Sequence, residues 1–141
     1  MAESICLHYT VPGDDFTRAG EASADLKQRL KKLGIPPDAV RKVSIALYEG
    51  EINLAIHAHG GNIDVEVGDD AVRMTLSDSG PGIADIALAM SEGYSTAPDE
   101  VRSLGFGAGM GLPNMKKYSD EFDIQSAVGV GTTVRMAVRI D

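Results

Sequence analysis

The chain has 141 residues, of which 43% are hydrophobic and 5% aromatic, with no Trp. One domain with a mostly aliphatic core follows, long enough to bury a sizeable interior. A net charge of −8 argues against a nucleic-acid surface or an anionic membrane as partner, yet leaves a nucleotide open, because a bound metal and oriented N–H groups act locally.

Ile5 to Val11 reads as a first strand, ended by Pro12-Gly13. Cys6 is the one cysteine. It excludes an internal disulfide and is expected to be a buried, inert thiol in a reducing cytosol. The opening MAESICLHYTVPGDD lacks the basic flank and apolar run of a signal peptide. No apolar run approaches a membrane span, so a cytoplasmic protein is expected. Asp14 or Asp15 is placed to cap a helix running to Leu33, with Phe16, Ala19, Leu26, Leu30 and Leu33 at rough helical spacing and Gly34 as its stop.

Pro36-Pro37-Asp38 opens a second helix, expected to end near His59 before Gly60-Gly61. It carries two apolar stripes: Val40, Val43, Leu47, Leu54 and Ala58, and separately Ile45, Ile52 and Ile56. A helix apolar on two sides is expected to be covered on two sides. Glu49 and Asn53 project together near the isoleucine stripe, one turn apart. A carboxylate and an amide on a largely buried helix need a reason. Gly50 lies inside the same helix at a cost of about 1 kcal/mol against Ala, which suggests that the lid or a partner approaches there. His57 and His59 face different ways, so a metal site there is not expected.

Asn62 to Val67 alternates as a strand, and Val72 to Leu76 is its hairpin partner across Gly68-Asp69-Asp70. That strand delivers Ser77-Asp78-Ser79-Gly80-Pro81-Gly82. A short helix is expected over 83–91. Residues 93–111 form the longest stretch without periodicity and read as a mobile lid. The lid ends in Gly105-Phe106-Gly107-Ala108-Gly109-Met110-Gly111, and Leu112-Pro113-Asn114-Met115 opens a helix to about Ser119. Such a loop can turn several N–H groups toward one anion, and phosphate is the obvious guest. Phe122 to Ser126 and Thr132 to Ile140 close the chain as two strands around Gly129-Val130-Gly131. Strands joined by hairpins cannot make an all-parallel sheet. The fold class is therefore α+β: two layers, with a mixed, mostly antiparallel sheet and helices on one face.

Three pieces now stand in order: Glu49-x-x-x-Asn53 on a helix, Asp78-x-Gly80-x-Gly82 after a strand, and the glycine lid entering a helix. This arrangement resembles the Bergerat-fold (GHKL) ATPases of DNA gyrase, histidine kinases and MutL, over about residues 38 to 140. The closing Gly129-Val130-Gly131-Thr132-Thr133 is similar to that fold's glycine–threonine element. Each motif alone is weak, and together they are specific. The small size, with DSGPGIADIALAMSEGYST and GFGAGMGLPNMKKYSDEF, resembles the anti-sigma-factor serine/threonine kinases of bacterial partner switching, in particular their switch-kinase branch.

The resemblance implies a single ATP-binding domain over 1–141 that uses ATP and Mg²⁺. Asp78 would accept a hydrogen bond from the exocyclic amine of adenine, since an ionised carboxylate only accepts. Alone, it reads as a turn or cap residue. Gly80 and Gly82 would let backbone approach the base or ribose, and Thr132 would support the adenine site through its hydroxyl. Asn53 would ligate Mg²⁺, and Glu49 would be the general base or polarising group for the incoming hydroxyl or water. Gly105, Gly107, Gly109, Met110, Gly111 and Leu112 would surround the phosphates. Lys116 and Lys117 read as solvated.

The implied function is phosphate transfer from ATP to Ser or Thr of a STAS-like antagonist or scaffold protein, combined with regulation by binding. A sigma factor or a phosphatase is a further implied partner, and nucleic acid and membrane are not. The related anti-sigma kinases often form homodimers, which the switch-kinase branch need not share. The alternative is a nucleotide-gated binding module with little or no phosphoryl transfer, in which ATP orders the lid. An ATP hydrolase fragment like those of gyrase or MutL is disfavoured, because their downstream transducer domain is missing.

Overall fold

A computed structural model describes residues 4–13, 20–58, 60–83, 90 and 111–140. The elements are β1 (Ile5–Pro12), α1 (Glu21–Lys32), α2 (Pro37–His57), β2 (Gly60–Val67), β3 (Ala71–Ser77), α3 (Gly111–Lys117), β4 (Glu121–Ala127) and β5 (Gly131–Arg139). The strands form one sheet in the order β1-β2-β3-β5-β4, and all four pairings are antiparallel. The expected short helix over 83–91 falls almost wholly outside the described residues. The lid from 93 to 110, with Gly105, Gly107, Gly109 and Met110, lies outside them, as do His59 and the side chains of Ile56 and His57.

Period-two alternation sorts the sheet into two faces. Ile63, Val65 and Val67 of β2, Val72, Met74 and Leu76 of β3, and Val134, Met136 and Val138 of β5 are buried. Met74 stands opposite both Val65 and Met136, so the inner rows run across the sheet in register. The other face carries charge: His8 Nδ1 lies 2.8 Å from Asp64 Oδ1, and Asp123 faces Arg135 at 3.8 Å. Cys6 belongs to this outer face and is exposed, against the expectation of a buried thiol. Its register partner is Glu66.

The helices cover the inner face. Leu26 and Leu30 of α1 and Val43, Ala46 and Leu47 of α2 are fully buried in the same core as the strands. Each buried Leu or Val here contributes about 1.5–3 kcal/mol by leaving water, and Ala46 less. Leu33 does not join them: it is 46% exposed and serves as the α1 C-cap. Helix α1 begins at Glu21 with Gly20, at φ +106°, as its N-cap, and the expected caps Asp14 and Asp15, with Phe16 and Ala19, lie outside the described residues.

No side chain at Gly20 can cap α1. Glu51 of α2 caps it instead. Its Oε2 accepts the Ala22 N–H and its Oε1 the Ser23 N–H, each at 3.0 Å, and the residue is 2% exposed. A helix start leaves its first N–H groups without intrahelical partners, and a carboxylate there also meets the positive end of the dipole. At the surface, Tyr9 Oη donates to Asp25 Oδ2 at 2.7 Å, and Arg29 Nε donates to the same oxygen at 2.8 Å. Arg29 first, and Tyr9 second, hold the Asp25 carboxyl below its usual range. The pair of contacts ties the β1 edge to α1.

Gly50 has a local explanation. A Cβ there would run into the Leu76 side chain and come within 3.3 Å of Met115 Sδ. The sequence suggested an approach by the lid or a partner. The close neighbours are the β3 floor and α3, so the glycine lets α2 sit down on both.

Candidate nucleotide site

Strand β3 ends at Ser77 and hands the chain to Asp78. The Asp78 N–H donates to the Thr132 carbonyl at 3.0 Å, extending the β3–β5 ladder by one bond. Asp78 Oδ1 then accepts the Gly80 N–H at 2.9 Å and the Thr132 N–H at 3.2 Å. The first bond is an Asx-type turn, and the second locks the carboxylate to β5. Oδ1 is thus committed internally, while Oδ2 has no hydrogen-bond partner among the described residues.

The loop after Asp78 is held by the β4–β5 hairpin. Gly129 N–H donates to the Pro81 carbonyl at 2.9 Å, and Ile83 N–H donates to Ser126 Oγ at 2.7 Å. Ser126 Oγ also lies 2.7 Å from Thr132 Oγ1 and donates to the Gly131 carbonyl at 3.2 Å. A serine has one hydroxyl proton. Spent on Gly131, it leaves Thr132 as the donor to Ser126, so the Thr132 lone pairs remain for a guest. Gly82 sits at φ +78°, and a Cβ there would strike the Ala127 carbonyl. This loop therefore needs glycine both for its torsion and for its approach to the hairpin.

These elements enclose one cleft. Asn53 enters from α2, Asp78 and Gly82 from the β3 loop, Leu112 from α3, and Thr132 from β5. Leu54, Leu76, Ile83, Met115 and Val134 supply apolar walls. Five of the residues singled out from the sequence thus converge, and Gly80 holds the turn that aims Asp78. Gly111 begins α3, beside Leu112. Lys116 and Lys117 are exposed, as expected.

Glu49 stands one turn before Asn53 on α2 and is half-buried. Burial raises its carboxyl pKa, and a hydrogen bond donated by Asn114 Nδ2, at 3.5 Å, opposes the rise in part. A half-buried carboxylate of raised basicity is suited to take a proton.

Three contributors escaped the sequence reading. Ser126 follows Phe122 and Ile124 on the inner side of β4, and a hydroxyl in that row was the available signal. Glu51 interrupts the main apolar stripe between Leu47 and Leu54. Asn114 shows in the sequence only as part of a helix start.

The donor set fits a magnesium-bound adenine nucleotide. Asp78 lines this apolar cleft, and its Oδ2, without a hydrogen-bond partner among the described residues, suits the amine edge of adenine. The Asn53 amide offers one hard oxygen, and Mg²⁺ usually takes few ligands from protein and the rest from phosphate and water. Among the described residues no cluster of three His, Cys, Asp or Glu could hold a metal alone.

Known proteins point the same way. The family described as "Histidine kinase-like ATPase domain" matches residues 14–138. The chain is 32% identical over 109 residues to the serine/threonine-protein kinase RsbT of Bacillus subtilis, covering 74% of this chain and 76% of RsbT. It is 33% identical over 103 residues to the anti-sigma F factor of a Geobacillus species, covering 69% and 67% respectively. Among solved structures, the RsbU and RsbW domains of Rv1364c from Mycobacterium tuberculosis superpose with a TM-score of 0.66 at 17% identity. That alignment covers 96% of this chain and 32% of the longer one, so this chain spans about a third of it. The mycobacterial sensor histidine kinase MprB superposes with a TM-score of 0.54 at 17% identity, covering 94% and 97%. Fold, cleft and kinship agree: the chain belongs to the histidine-kinase-like ATPase family, on the side of its serine/threonine-kinase and anti-sigma members.

Proposed function

We propose that this domain binds ATP with Mg²⁺ in the cleft, transfers the γ-phosphate to a Ser or Thr of a STAS-domain antagonist or scaffold protein, and regulates that partner by binding it. The observation that carries the reading is Asp78. One of its oxygens is fixed by Gly80 and Thr132, and the other is left to accept at an apolar cleft that also holds Asn53. Guanine presents an oxygen where adenine presents an amine, so an ionised Asp78 selects adenine.

The remaining roles follow from position. Asn53 holds the metal, and Thr132 supports the base through its hydroxyl. Gly111 and Leu112, at the start of α3, meet the phosphates. Glu49 accepts the proton of the incoming hydroxyl, and Asn114 orients it. When bound, ATP and Mg²⁺ supply the phosphoryl group and neutralise its charge.

The test uses the full chain, γ-labelled ATP and a purified STAS-domain protein encoded beside it. Label should appear on a Ser or Thr of that protein. Asp78→Asn should abolish ATP binding by calorimetry, and Glu49→Ala should lose transfer while ATP binding largely survives. Absence of ATP binding to the well-folded parent would refute the site. Binding without transfer, with partner regulation intact in Glu49→Ala, would leave a nucleotide-gated binding module instead.

A further inference from the structure

One face of the N-terminal half of α2 does not line the cleft. Arg41, Ile45 and Tyr48 stand at i, i+4 and i+7, on one face of the helix. This face is turned away from the core side of Val40, Val43 and Leu47. Ile45 is half-buried, while Tyr48, 38% exposed, lies against Gly20 at the start of α1.

Charge gathers around this face. Residues 27–42 and 114–118 hold eight of the chain's thirteen cations, with one carboxylate, Asp38. The remaining residues hold five cations and twenty carboxylates. Topology brings the cations to one end of the helical layer. Helix α1 ends in Arg29, Lys31 and Lys32, and turns through 33–36 into the start of α2. Arg41 lies 5.8 Å from the Tyr118 ring centre and Lys117 lies 5.4 Å from it, which places the end of α3 beside the start of α2. Leu33, also exposed, sits in the turn.

Helix dipoles account for part of this. Cations favour helix C-termini, which suits Lys31, Lys32, Lys116 and Lys117. They do not suit the start of α2, where Arg41 and Lys42 lie. Among the described residues Asp38 is their one anionic partner, at 3.7 and 3.3 Å, and Arg29 of the same cluster pairs with Asp25 at 2.8 Å. Such exposed pairs are weak and leave the cluster strongly positive.

We infer that this end of the helical layer, with Arg41, Lys42, Lys32 and Lys117 near the exposed Leu33 and the half-buried Ile45, docks an acidic, amphipathic segment of a protein partner. Its carboxylates meet the cations, and its apolar side chains meet Ile45 and Leu33. A short acidic segment fits the patch without reaching the negative remainder of the surface. A nucleic acid, with a phosphate every few ångströms, would extend beyond the patch and be repelled. The surface is separate from the cleft: Arg41 and Asn53 are twelve residues apart on one helix, or about 18 Å along its axis.

The probe is a fluorescein-labelled amphipathic helical peptide of alternating Glu and Leu faces, titrated with the full chain and read by anisotropy. The triple variant Lys32→Glu, Arg41→Glu, Lys117→Glu should weaken binding at least tenfold. An equal charge change on the sheet's outer face, Arg73→Glu, Arg135→Glu, Arg139→Glu, should weaken it less than twofold. Binding should also fall as salt rises, while ATP affinity stays unchanged in the first variant. Equal weakening by both triple variants, or equal binding of a Gln-for-Glu peptide, would overturn the assignment. So would tighter binding of a 20-base-pair DNA duplex or of phosphatidylglycerol vesicles than of the peptide.

Discussion

Glu51→Gln tests how the helical layer is held. In the parent, each carboxylate oxygen accepts one N–H of the first α1 turn at 3.0 Å, in a site 2% exposed to water. Gln keeps the size and one acceptor but turns an NH₂ toward the other N–H. An orphaned buried donor costs about 1–3 kcal/mol. Loss of negative charge at a partly buried helix start costs up to about 2 kcal/mol more. Release from burying a carboxylate offsets part of this, leaving a net loss of about 2–3 kcal/mol. At roughly 3 °C per kcal/mol for a domain of this size, the melting temperature should fall by about 6–9 °C. Calorimetric melting measures this, and hydrogen exchange should show the Ala22 and Ser23 amides opening first. Asp25→Asn removes an exposed partner from the same helix and should leave the melting temperature nearly unchanged. A Glu51→Gln protein that melts within about 2 °C of the parent, with those amides still protected, would refute the trans-helix cap.

Two further outcomes follow from burial. The Glu49 carboxyl has its pKa raised by burial above the ordinary value of 4.5, so the folded chain holds this proton more tightly than the unfolded chain. That contribution to stability is present below about pH 4.5 and is lost as pH rises through the raised value. Glu49→Gln should therefore melt slightly higher than the parent at pH 7, with the gap closing toward pH 4, while it loses phosphate transfer. Gly50→Ala should invert the usual helix rule: in place of a gain near 1 kcal/mol, the clash with Leu76 should cost about 1–3 kcal/mol, read as a lower urea midpoint.

What the sequence displayed and what it hid differ in the distance over which a residue acts. Asp78, Gly80 and Gly82 were readable because their chemistry lies within one turn, and Gly80 N–H does close on Asp78. The inner rows of β2 and β3 were readable because alternation is a property of the strand itself. Glu51 was not, because capping rules look three residues along the chain, and its donors lie 28 and 29 residues away. It still left a mark: a carboxylate three residues before Leu54 and four after Leu47, inside a stripe that otherwise goes to the core. Ser126 left the same mark on β4. A polar side chain out of phase with its own element's periodicity points to a partner on another element, and both residues brace a structure that the local motifs occupy. Helix α2 shows the consequence. Its core face, its capping carboxylate and its Glu49–Asn53 turn use three directions. Its fourth, at Arg41 and Ile45, belongs to the end of the layer where Arg41 meets the Tyr118 ring beyond α3.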